Sequence, residues 1–210
     1  MKKTLSVVVL ISGSGSNLQA LIDAAGQEDY PARISAVISN REDAYGLQRA
    51  RAAGIPCRVL SHQGHDDREA YDRSLMELID VFDPGLVVLA GFMRILTEGF
   101  VNHYSGRMLN IHPSLLPKFR GLHTHQRALD AAEAEHGASV HFVTRELDGG
   151  PLIVQSRVPV LPGDTAEVLA ARVLEQEHII YPRAVKWFAE GRLKLENGVA
   201  MFDNKAITGL

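Results

Sequence analysis

The valine-rich run Leu5 to Ile11 passes directly into Ser12-Gly13-Ser14-Gly15-Ser16-Asn17, after which Leu18, Leu21 and Ile22 recur at helical spacing. A nearly continuous apolar run of this length reads as a strand covered on both faces. Such a strand, followed at once by a helix, opens a parallel sheet with helices on both sides. The alternation continues. Arg33 to Ser39 is predicted to be a strand, and Ala44 to Ala53 a helix that ends with Gly54 in the left-handed position. Cys57 to Leu60 reads as a short strand. Asp67 to Phe82 reads as a long helix with Leu75, Leu78, Ile79 and Phe82 on one stripe and Pro84 beyond its end, and Leu86 to Ala90 as another buried strand. The later pattern is less regular. Arg107 to Ile111, Ala138 to Val143 and Leu152 to Val160 read as strands, and His123 to His136 as a helix. Thr165 to Ala189 reads as a helix with Asp164 as a candidate cap, and Leu193 to Phe202, with Asn197-Gly198 inside it, as a hairpin. The expected class is α/β: an open, mostly parallel, Rossmann-like sheet with helices on both faces and a small C-terminal hairpin.

A chain of 210 residues without repeats, low-complexity stretches or an interdomain linker suits one domain, 1–210. With 46% hydrophobic and 22% charged residues it has the material for a buried core. A formal net charge of -3 provides no general attraction to nucleic acid or to anionic membrane, so any bound anion must be caught by a local site. The apolar run after Met1-Lys2-Lys3-Thr4 ends in a glycine-rich turn rather than a cleavage site, and no stretch approaches the ~20 apolar residues that span a bilayer. Cys57 is the only cysteine, so no disulfide forms within the chain, which is compatible with a cytoplasmic location.

Three segments can carry chemistry. In Ser12 to Asn17, glycine allows close backbone approach and the helix start offers unpaired N–H groups. The segment therefore suits a phosphate, or serves only as a capped tight turn. It lacks the lysine of a Walker loop and the third glycine of a dinucleotide fingerprint. In Asn110-Ile111-His112-Pro113-Ser114-Leu115-Leu116-Pro117, the period of two points Asn110 and His112 to the same side of a strand, either as a structural polar pair or as an amide and an imidazole at a strand end. In Glu146-Leu147-Asp148-Gly149-Gly150-Pro151, Asp148 either forms an Asp-Gly turn or brings a carboxylate to His112. There is no nucleophile elbow, no mark of an activated thiol at Cys57, and no third ligand beside His123 and His125 for a metal.

Taken together, these segments resemble the folate-dependent phosphoribosylglycinamide formyltransferases. The resemblance rests on Leu10 to Ala20, Val88 to Leu96 (Val-Leu-Ala-Gly-Phe-Met-Arg-Ile-Leu), Asn110 to Pro117, Gly137 to Phe142 and Leu147 to Pro151, in this order and spacing. The histidine–proline stretch alone would mark only the wider folate formyltransferase group. The resemblance implies a formyltransferase fold, with residues 1–100 as the ribonucleotide phosphate-binding half and 101–210 as the catalytic and folate-binding half. It implies Asn110, His112 and Asp148 as the catalytic trio. It implies Gly15, Ser16, Asn17 and Glu177 as contacts to glycinamide ribonucleotide. It implies Arg68, Met93, Arg94, Ile95 and Leu96, Asn110, and Val143 to Asp148 as contacts to 10-formyltetrahydrofolate, the co-substrate. No metal, nucleic acid or membrane partner is implied, and the chain is expected to act in the cytoplasm as a monomer or homodimer. Ser14 departs from members that carry asparagine there, and the segment after Phe202 matches poorly.

The implied reaction is attack of the ribonucleotide amine on the formyl carbonyl, in purine synthesis. Asn110 and a protonated His112 would donate to the oxyanion, and Asp148 would favour the imidazolium and assist proton movement. Methionyl-tRNA formyltransferase would be longer and more basic. Formyltetrahydrofolate hydrolase would carry a domain ahead of the strand that begins here at Leu5. A nucleotide-binding regulator would have no need of the trio.

Overall fold

A computed structural model describes residues 4–210. Its main sheet has seven strands in the order β3-β2-β1-β4-β5-β6-β7. They are β1 (Leu5–Ile11), β2 (Ala32–Ser39), β3 (Cys57–Val59), β4 (Leu86–Leu89), β5 (Met108–His112), β6 (Glu135–Phe142) and β7 (Leu152–Pro159). Strands β1 to β5 pair in parallel, while β6 is antiparallel to both β5 and β7. The mostly parallel sheet expected from strand–helix alternation is therefore present, and β1 lies inside it rather than at an edge.

The alternation along β1 shows why it occupies the centre. Val7, Val9 and Ile11 enter one core with Leu18 and Leu21 of α1 (Ser16–Ala25), Leu47 of α2 (Gly46–Ala52) and Leu169 and Val173 of α6 (Ala166–Ala189). Val8 and Leu10 enter the opposite core with Leu75 and Ile79 of α3 (Arg68–Asp80) and Phe100 of α4 (Glu98–His103). Each such side chain contributes roughly 1.5–3 kcal/mol when fully buried, so an exposed face on this strand would forfeit several of them.

The chain goes from β1 to β2 on one side and later from β3, through α3, to β4 on the other. The sheet order thus reverses between β1 and β4, and the crevice at the carboxyl ends of these strands is where open α/β sheets receive ligands. Helix α6 is held over that crevice by Tyr181, whose hydroxyl lies 2.7 Å from the Leu89 carbonyl and 3.1 Å from that of Leu109. Glu177, one turn earlier on α6, is carried with it.

Some local expectations are corrected. The segment expected to be helical from His123 to His136 holds only α5 (Thr124–Asp130), because β6 already begins at Glu135 and places His136 in the sheet. The N-cap of α6 is Thr165, whose hydroxyl accepts from the Val168 N–H. Asp164 instead accepts from the Leu161 N–H and pairs with Arg172. Helix α4 had no counterpart in the sequence reading. The tail forms the expected hairpin, β8 (Leu193–Glu196) with β9 (Val199–Phe202). Asn197 and Gly198 both have positive φ there, as a tight primed turn requires, and a further strand, β10 (Lys205–Ala206), pairs with β9.

Candidate active site

Asn110 and His112 stand at the carboxyl end of β5, and the loop between β6 and β7 returns Asp148 to them. An Asp148 oxygen lies 3.4 Å from His112 Nδ1 and accepts from the Gly121 N–H at 2.9 Å. His112 Nε2 lies 2.9 Å from the Phe119 carbonyl oxygen. Both ring nitrogens therefore face acceptors, and only the imidazolium has a proton for each of them. Asp148 adopts a positive φ of 49, which lets its side chain turn back into the site ahead of Gly149-Gly150. Any side chain at Gly150 would collide with the Phe142 carbonyl, so glycine there lets the loop return close against β6.

His141, which the sequence reading did not assign, completes this group. Antiparallel register sets it opposite Asn110. Its Nδ1 lies 2.9 Å from the Phe142 carbonyl, so this nitrogen carries the proton. Burial pushes the His141 pKa down, ahead of every other influence, and keeps the ring neutral. Its bare Nε2 then accepts from the Asn110 amide at 3.2 Å. The neutral ring thereby points the Asn110 NH2 toward the site and leaves its second proton free. The signal for this residue was the strand pairing, which puts residue 141 beside residue 110 but is invisible before the register is known. His141→Leu is expected to lower turnover about tenfold by releasing the Asn110 amide, with Michaelis constants little changed. In a double-mutant cycle, Asn110→Ala should then cost less in the His141→Leu background than in the parent.

The turn after β1 lies at the carboxyl end of its own strand, two strands along the sheet from β5. Gly15 adopts φ 69 and ψ 31 at the start of α1, a left-handed conformation suited to glycine. Asn17 and Glu177 meet in a buried pair, with the Asn17 amide donating to the Glu177 carboxyl at 2.6 Å. Burial pushes the Glu177 carboxyl above its ordinary range, and the Asn17 bond opposes this. The carbonyl oxygen of the Asn17 side chain is buried without a hydrogen-bond partner. Such a group normally costs stability when it is left unpaired.

The residues expected to contact folate are only partly gathered. Met93 and Ile95 are exposed after β4, and Val143 is half-buried at the end of β6. Arg94 stacks on the Tyr71 ring of α3 at 4.3 Å. Arg68, at the first position of α3, is exposed and makes no hydrogen bond or ion pair among the described residues. No group of three or more His, Cys, Asp or Glu side chains among the described residues is placed to hold a metal ion, and no helix among them is long and apolar enough to cross a membrane.

Behind the site, His136 of β6 packs edge-on against His125 of α5 at 5.2 Å and against Phe119 at 6.0 Å. Burial first, then the His125 and His112 charges, push its pKa down to about 4, while the Pro113 backbone and Glu133 pull the other way. An unfolded histidine titrates near 6.5. Between that value and about 4 the unfolded chain binds more protons than the folded one. Stability present above ~6.5 is therefore lost as pH falls through this window. The thermal midpoint should drop on going from about pH 7 to about pH 5, and His136→Phe should flatten that dependence. Phe119 is also the backbone partner of His112, whose Nε2 faces its carbonyl oxygen.

An amide, an imidazole and a carboxylate gathered at one strand end of a mostly parallel sheet agree with the comparisons to known proteins. The formyl transferase family model matches residues 5–185, and the chain belongs to that family. Within it, the chain is 56% identical over 203 residues to the phosphoribosylglycinamide formyltransferase of Escherichia coli (strain K12), covering 97% of this chain and 96% of that protein. It is 46% identical over 198 residues to the human trifunctional purine biosynthetic protein adenosine-3, of which it spans 20%. The fold superposes on the phosphoribosylglycinamide formyltransferase of Coxiella burnetii with a TM-score of 0.94 at 55% identity, covering 98% of this chain and 97% of that one.

Proposed function

We propose that the chain transfers the formyl group of 10-formyltetrahydrofolate to the amine of glycinamide ribonucleotide, giving formylglycinamide ribonucleotide in purine synthesis. The observation that carries this reading is the convergence of Asn110, His112 and Asp148 at the carboxyl end of β5, two strands along the sheet from the glycine turn that follows β1. High identity to proteins of that name supports the choice of substrate.

In this reading the Gly15 to Asn17 turn takes the phosphate on its backbone N–H groups and the α1 N-terminus. Glu177 and the orphan Asn17 oxygen hold the ribonucleotide. Met93 to Leu96, Arg68 and Val143 to Asp148 hold the folate. The substrate amine attacks the formyl carbon, and a tetrahedral oxyanion forms. The free Asn110 amide proton and a His112 N–H donate to that oxygen, where charge develops only in the transition state. One of the two His112 nitrogens must exchange its protein acceptor for the oxyanion, and the Phe119 carbonyl is the contact supplied by a loop rather than by the trio. Asp148 balances the imidazolium and, directly or through water, accepts the amine proton that is finally delivered to the departing folate nitrogen. The C–N bond to folate breaks as the new formamide forms, with no covalent bond to the protein. The same reading puts the reaction in the cytoplasm, carried out by a monomer or homodimer.

The test is direct. The protein is mixed with both substrates, and deformylated folate and formylated ribonucleotide are followed together. Equal amounts of the two products are expected. Deformylation that proceeds without glycinamide ribonucleotide would mean hydrolysis and would overturn the proposal.

A further inference from the structure

The segment from Gly91 to Thr97 is fastened at both ends by buried side chains that belong to none of the substrate-contact sets above. At its start, the Ser12 N–H donates to the Gly91 carbonyl at 3.1 Å. The Ser12 hydroxyl donates its single proton to Asn40 Oδ1 at 2.6 Å and accepts from the Met93 N–H at 2.8 Å. Because Asn40 takes that proton, the hydroxyl lone pairs remain for Met93. At the far end, Asp72 of α3, 2% exposed, accepts from the Thr97 N–H at 2.7 Å. A buried carboxylate on a backbone N–H is a charge-assisted bond, about twice as strong as a neutral one.

What lies between the two fastenings makes them informative. Met93 and Ile95 are 68% and 61% exposed, although they are large and apolar. Arg94 is drawn the other way, onto the ring of Tyr71, the neighbour of Asp72, and its Nε is buried without a partner. Phe92 and Leu96 pack against the core, but Met93 and Ile95 point outward, so packing does not fix the backbone between them and other means must. Ser12 and Asp72 supply that from opposite sides, one at the end of β1 and the other on α3.

We infer that Ser12 and Asp72 are positioning residues that hold Met93 to Leu96 open in the conformation that receives the folate. This rests on the proposed folate role of that segment. Preorganising it in the free protein removes an ordering cost that binding would otherwise bear. Neither side chain needs to touch the folate.

The experiment compares Ser12→Ala, Asp72→Ala and Asp72→Asn with the parent, using steady-state kinetics for both substrates and amide hydrogen exchange across residues 91–97 with and without tetrahydrofolate. Each alanine variant is expected to raise the Michaelis constant for 10-formyltetrahydrofolate about tenfold and that for glycinamide ribonucleotide less than about twofold. It should also speed exchange in the ligand-free segment. Asp72→Asn keeps an oxygen acceptor and should recover most of the loss. The inference is overturned by equal rises in both constants, by unchanged kinetics, or by an asparagine variant as impaired as the alanine one. Should Asp72→Ala fail to fold, Ser12→Ala and Asp72→Asn retain the same comparison. If tetrahydrofolate fails to slow exchange of residues 91–97 in the parent, the folate role of the segment falls, and the inference with it. If protection is seen and the variants behave as the parent, the inference alone falls.

Discussion

Alanine at Asn110 is expected to lower turnover by roughly 10²–10³ while both Michaelis constants stay within a few-fold of the parent, because a donor to a developing oxyanion acts on the transition state. The side chain is half-buried on β5, and its amide is already oriented by the neutral His141, so alanine removes a prepared donor rather than a structural support. Asp148→Asn provides the companion result. An asparagine oxygen can still accept from the Gly121 N–H, so the loop should stay in place. The negative charge beside His112 is lost, and an amide can neither balance an imidazolium nor take a proton. Turnover should fall about 10²-fold or more, with thermal stability near that of the parent. A folded Asp148→Asn protein that binds both substrates and turns over at the parent rate would assign Asp148 to the turn alone. Stopped-flow single turnovers, with folding checked by circular dichroism, separate these outcomes.

The parts of the molecule that were legible in the sequence are those whose causes are local. β1 declares itself through apolar residues on both alternating faces, and Asn197-Gly198 through two residues that tolerate positive φ. Gly54, expected in the left-handed position after α2, has φ 69. What was hidden depends on partners far along the chain. The helix expected from His123 to His136 stops at Asp130, because pairing with β7 claims Glu135 onward, and periodicity cannot register that competition. Asp164 is as good an N-cap type as Thr165, and its diversion to Arg172 is a tertiary fact. At the site, Asn110 and His112 were visible as a pair on one strand. The 3.4 Å approach of Asp148 and the role of His141 both require the antiparallel return of β6 and its loop. Ser12 was visible as a turn residue, but its bond to Met93 spans 81 positions.

Gly15→Ala should raise the Michaelis constant for glycinamide ribonucleotide about tenfold or more, because two constraints act on this residue at once. It holds φ 69, where an L-residue costs about 1 kcal/mol more than glycine. A Cβ built there would also sit 2.6 Å from the Gly46 Cα, a backbone atom at the start of α2 that cannot swing aside as a side-chain tip would. The turn is tied to the same place by the Gly46 N–H donating to the Gly13 carbonyl at 3.0 Å and by the Arg49 guanidinium donating to the Ser14 carbonyl at 2.9 Å. A methyl group at residue 15 must therefore push the turn away from α2, moving the N–H groups proposed to hold the phosphate. A shift of a few tenths of an ångström matters more to an anion gripped by several N–H groups than to the fold, which should lose about 2–4 °C of thermal midpoint for each kcal/mol of strain. The folate constant should change less than about twofold, since Met93 to Leu96 are fastened through Ser12 and Asp72 rather than through Gly15. Inorganic phosphate, as a competitive inhibitor against the ribonucleotide, gives an independent reading: its inhibition should weaken in parallel in Gly15→Ala. If the variant loses affinity for folate as strongly as for the ribonucleotide, residue 15 serves the fold and not the phosphate.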